Sequence, residues 1–127
     1  MVVAGLVLAA AAALVHVYIF WLESVAWTTP RARRVFGTTT EEARVTRTLA
    51  YNQGFYNLFL AGLVVVGVLV VAGGRLTVGA TLVIAGAACM VGASLVLVLS
   101  DPSKASAARA QGVLPALGIV ALVIGLV

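Results

Sequence analysis

Four long apolar runs, separated by short polar or glycine-rich breaks, organise the 127-residue chain. They cover approximately residues 2–27, 41–72, 76–99 and 102–127. A helical bilayer crossing needs about 20 mostly apolar residues. Each run is long enough. The chain is 63% hydrophobic and 9% charged, against about 25% charged in a soluble domain. A soluble fold cannot cover that much apolar surface. The expected fold is therefore all-α: one integral membrane domain, a four-helix bundle of antiparallel up-down topology.

The breaks are chemically explicit. Thr28-Thr29-Pro30 ends the first run, because a residue before proline is pushed out of the helical region. Gly37 breaks the polar link that follows. Thr38 to Thr40 then offer N-caps, and Glu41 and Glu42 sit where the next helix dipole favours negative charge. Gly73-Gly74 ends the second run and forces a tight hairpin. Asp101-Pro102 is a sharp helix start, with an N-cap acid before a first-turn proline. Within the fourth run Pro115 predicts a kink. The N-terminal run lacks a basic n-region and outruns a signal-peptide core, so it reads as a retained helix.

Seven of the eight basic residues fall at one end of such a bundle: Arg31, Arg33, Arg34, Arg44, Arg47, Lys104 and Arg109, with Arg75 alone at the other. The positive-inside rule makes the basic end cytoplasmic. Both termini then lie on the non-cytoplasmic side of a multi-pass protein of the cell inner membrane.

Polar side chains inside apolar runs are costly and become functional suspects. Most of them cluster in Arg44–Asn57, RVTRTLAYNQGFYN. Counting about 1.5 Å per residue from the cytoplasmic helix ends puts Glu23 and Arg47 at about 6 Å, and His16, Asn52 and Gln111 at roughly 14–16 Å. Matched depths on three helices predict one cavity, open to the cytoplasm, with a Glu23–Arg47 mouth and a polar floor. His16 and Glu23 are the candidate proton-handling residues, since imidazole titrates near neutrality. Arg44, Arg47, Tyr51, Asn52, Gln53, Asn57 and Gln111 are the candidate ligand-binding set.

Other signals are weaker. Thr81, Ala85, Ala88 and Gly92 form a small-residue stripe of the kind that lets membrane helices approach closely. Cys89 reads as a small packing residue. One histidine and one cysteine make a metal site in one chain an unexpected feature. Phosphate-loop and dinucleotide fingerprints are missing, and basic residues beside aromatics at a membrane edge suit lipid headgroups and not nucleic acid.

The segments HVYIFWLE (16–23), RRVFG (33–37), AYNQGFYNLFLAGL (50–63), DPSKA (101–105) and QGVLPAL (111–117) resemble the small bacterial membrane proteins of domain-of-unknown-function family 1304. That likeness covers nearly the whole chain. It implies four helices and no stated activity. Glu42, Arg44, Arg47 and Asn52, followed by LFLAGL, are more distantly similar to MAPEG proteins, the membrane-associated eicosanoid and glutathione enzymes. The second likeness implies a cytoplasm-facing site, trimers and a glutathione cofactor. Phe55 and Thr48 stand where that family has a glutamate and an arginine, which argues against glutathione.

Three functions stay open on the sequence. The first is binding of an amphipathic, anionic lipid-like ligand in the cavity of a homo-oligomer, with or without catalysis. The second is an accessory subunit of a larger membrane complex. The third is a small oligomeric transporter or channel.

Overall fold

Each apolar run forms a helix long and apolar enough to cross a membrane in the computed structural model, which describes residues 1–127. This is a multi-pass membrane protein. Helix α1 spans Val2–Phe20 and runs directly into one π-helical turn, Trp21–Val25. Helix α2 is Pro30–Phe36 and α3 is Thr40–Val45. The remaining crossings are α4 (Arg47–Ala72), α5 (Leu76–Ser100) and α6 (Ala105–Leu126), the last preceded by a 3-10 turn, Pro102–Lys104.

The helix ends differ from the expected ones for local reasons. The first crossing stops at Val25, two residues early, where the π turn closes with Ala26 N–H on the Trp21 carbonyl (2.9 Å). The second run is not one helix. Thr46 leaves helical geometry (φ −90°, ψ 4°) and separates α3 from α4. Asp101 and Pro102 start the 3-10 turn, so α6 begins only at Ala105. Pro115 sits within α6 without ending it.

The polar link is itself helical. Pro30 occupies the first turn of α2, Ala32 N–H donates to Thr29 Oγ1 (3.3 Å), and Gly37 closes the helix at φ 65°. Only glycine takes that left-handed conformation without a Cβ penalty. Helix α3 carries a full capping box: Glu42 N–H donates to Thr39 Oγ1 (3.2 Å), and Thr39 N–H to the Glu42 carboxylate (2.7 Å).

The four crossings form a square. α1 packs on α4 and α6, and α5 packs on the same two from the opposite corner. The core is built from small residues, among them Ala9, Ala12, Ala13, Ala61, Val64 and Val83. With such side chains the backbones nearly touch. A Cβ at Gly67 would lie 2.8 Å from the Gly79 carbonyl oxygen, and one at Gly5 would lie 2.6 Å from the Leu122 nitrogen. The expected stripe is not the one used. Thr81, Ala85, Ala88 and Gly92 face outward, and Gly79, Val83, Gly86 and Met90 face the bundle. Cys89 is also exposed. A Cβ at Gly125 would run into the Val2 nitrogen, so both termini share one end. The basic residues other than Arg75, together with α2 and α3, occupy the opposite end.

Candidate ligand-binding cavity

The π turn carries Glu23 into the bundle at its basic end. Glu23 is 9% exposed and Asn57, across from it on α4, is 8% exposed. Asn57 Nδ2 donates to Glu23 Oε2 at 2.7 Å and lies 3.3 Å from the Gln53 carbonyl. π turns interrupt the helical register and recur at functional sites. Beside this pair Ser24 Oγ donates to the Tyr51 carbonyl (2.8 Å), and Gly54 leaves room for Ser24. On the far side of the bundle Ser94 Oγ donates to the Ala108 carbonyl (2.7 Å), holding α5 to α6.

An inner cavity of 610 Å³ opens beneath these contacts. All four crossings wall it: Glu23 from α1, Gln53 and Asn57 from α4, Ala93 from α5, and Ala107 and Gln111 from α6. Trp27, Phe36 and Thr38 roof it, and Lys104 stands at its edge. An outer cavity of 660 Å³ shares Glu23, Trp27, Thr38 and Gln53 with it, then reaches Asn52, Leu49 and Tyr56 on the outward face of α4. The roof is tied down at several points. Lys104 Nζ donates to the Phe36 carbonyl, the Trp27 and Phe36 rings lie 5.0 Å apart, and Trp27 Nε1 donates to Thr46 Oγ1 (3.2 Å).

The residues singled out in the sequence fall into three places. Glu23, Gln53, Asn57 and Gln111 meet at the inner cavity. Asn52 lines the outer cavity, and Tyr51 joins it in a shallow groove with Phe55, Tyr56 and Phe59. His16, Arg44 and Arg47 line neither cavity. His16 is 1% exposed, and its Nδ1–H donates to the Ala12 carbonyl of its own helix (2.9 Å). Arg44 is exposed and paired with Glu41 (2.6 Å), the one ion pair in the chain. Arg47 is exposed, so the expected Glu23–Arg47 mouth does not form; Asn57 takes the place of the arginine. The expectation fails on depth: Glu23 lies level with Asn57, ten residues and about 15 Å further along α4 than Arg47.

Sequence reasoning missed Lys104 and Thr38. Lys104 looked like one more loop charge, although DPSKA was among the distinctive segments. In the sequence Thr38 stands only as a capping candidate. Its Oγ1 is buried without a hydrogen-bond partner, and it lines both cavities. Outside the crossings, the acids are held ionised by neighbours. The Arg44 guanidinium lowers the Glu41 carboxyl, and the Thr39 backbone N–H lowers that of Glu42. The Ser103 hydroxyl does the same for Asp101. No three His, Cys, Asp or Glu side chains converge as metal ligands would.

No curated protein and no solved structure matches the chain. The family described as "Protein of unknown function (DUF1304)" matches residues 10–123. Nine tenths of the sequence, including every residue that lines the cavity, lies within that match, and the chain belongs to this family.

Proposed function

We propose that the protein binds an amphipathic, lipid-like molecule that carries an anionic group, with its polar head in the inner cavity and its tail leaving through the outer one. The observation that carries this reading is the inner cavity itself. A buried carboxyl–amide pair sits in the wall of a 610 Å³ space bounded by four otherwise apolar helices. That volume lies within the range of small-molecule sites, about 300–1,000 Å³. A few polar groups in an apolar pocket fix the orientation of a ligand, and here they gather at one end of it.

On this reading the roles shift among the candidates. Arg44 and Arg47 sit outside, so the anionic group falls to Lys104, the one cation in the inner wall. That also removes the arginines on which a glutathione reading would rest. Any proton transfer in the cavity falls to Glu23 and not to His16.

Native mass spectrometry in mild detergent tests the reading, with Ala107→Phe filling the space beside Gln111. The wild type is expected to retain a small molecule or lipid that the filled variant loses. An empty wild type, or equal retention by both, would overturn it.

A homo-oligomer belongs to the same reading because of Asn52. It faces outward from a membrane helix, and its side chain makes no hydrogen bond within the chain. An unpaired amide facing hydrocarbon is costly. A second copy against α4 would cover it and add a wall to the outer cavity, alongside the tail.

A further inference from the structure

The inner cavity holds one carboxyl, Glu23, and one ammonium, Lys104. They do not pair with each other, since the chain's single ion pair is Arg44–Glu41. Both have unused bonding capacity. A lysine ammonium has three donors, and Lys104 gives one to the Phe36 carbonyl. A carboxylate has about four acceptor positions, and Glu23 takes one bond, from Asn57. Gln53, Gln111 and the unpartnered Thr38 hydroxyl line the same cavity. A purely anionic head that reached Lys104 would leave Glu23 facing it with only Asn57 to accept from. A head bearing both signs satisfies both ends.

Resting on the ligand-binding reading above, we infer that the cavity takes a dipolar head: a phosphate ester on Lys104 and an N–H-bearing ammonium on Glu23, as in a phosphoethanolamine group. A quaternary ammonium fits less well. It needs open aromatic faces to surround it, and the Trp27 and Phe36 rings pack on one another at 5.0 Å. Glu23 offers acceptors and a negative charge, which an N–H-bearing ammonium can match and a quaternary ammonium cannot hydrogen-bond.

The test offers the detergent-purified protein equimolar dioleoyl phosphatidylethanolamine, phosphatidylcholine and phosphatidylglycerol, and reads retention by native mass spectrometry. Phosphatidylethanolamine is expected to be retained about tenfold over the other two, a difference of about 1.4 kcal/mol. Glu23→Gln keeps an acceptor for Asn57 and should fold, yet lose that preference. Lys104→Met should lose all three lipids, and Lys104→Arg should restore them.

Equal retention of the three lipids overturns the dipolar assignment and leaves ligand binding standing. Retention of none overturns both. Soluble O-phosphoethanolamine and inorganic phosphate are then added as competitors. Displacement by the first alone assigns recognition to the free head. Displacement by neither, with the lipid preference intact, assigns it to the lipid-borne head. Equal displacement by both overturns the dipolar assignment.

Discussion

At the residue scale the decisive contact is Asn57 on Glu23, 34 positions apart in sequence and 2.7 Å apart in space. Its energetics are asymmetric. A buried acceptor that loses its donor costs about 1–3 kcal/mol, whereas replacing both partners with apolar groups of similar shape can be nearly neutral. Asn57→Leu is therefore expected to destabilise the bundle by about that amount. Glu23→Leu with Asn57→Leu should recover most of it. Equilibrium unfolding in mixed micelles would measure the cycle, and a double variant no better than Asn57→Leu would show that the pair is not the source of the loss. The sequence made Glu23 and Asn57 visible as polar groups in apolar runs. It did not make their pairing visible. Arg47 is the more obvious electrostatic partner for Glu23, and the depth at which the π turn sets Glu23 against α4, about 15 Å from Arg47 along the helix, decides between them.

At the element scale the breaks were legible, apart from the one at Thr46, and the faces were not. Gly73-Gly74, Asp101-Pro102 and the Thr39–Glu42 box carry their own chemistry, and the structure uses each where it stands. The faces carry no such mark, because these helices are apolar on every side and lipid accepts leucine as readily as a neighbouring helix does. The outward Thr81–Gly92 stripe shows the consequence: small residues permit close approach without requiring it. What identifies the packed face is the space around each glycine. Gly67 meets Val83 and the Gly79 carbonyl, whereas Gly62, five residues earlier on the same helix, has open space around it. Gly67→Leu should therefore separate α4 from α5 and destabilise by about 1–3 kcal/mol, the usual range for overpacking. Gly62→Leu should leave stability unchanged or slightly improved by its better helix propensity. Thermal unfolding of the two variants side by side checks this, and equal losses would mean that the α4–α5 crossing is not where the backbones meet.

At the scale of the whole molecule, two regions are held by different forces. The crossings are held by packing between backbones. The basic end is held by charge and caps: the Thr39–Glu42 box, Asp101 on Ser103, and Lys104 on the Phe36 carbonyl. That end is also the cavity's roof, so acid should loosen the roof before it loosens the bundle. The sign follows from Glu42. Its carboxyl lies below its ordinary value of 4.5 in the folded chain, chiefly because the Thr39 N–H donates to it. A depressed acid stabilises fully above its unfolded value, and that contribution is lost as pH falls through the folded one. Below about pH 4.5, α3 should fray while α4 stays protected. Amide hydrogen exchange, corrected for its intrinsic pH dependence and compared between residues 40–45 and the centre of α4, would read the difference. Glu42→Gln supplies the control, since an amide oxygen can still accept from Thr39 N–H and does not titrate. The variant should keep α3 equally protected at pH 6 and pH 3. If wild type and variant lost α3 protection together, the acid sensitivity would belong to another group at that end, with Asp101 the next to substitute.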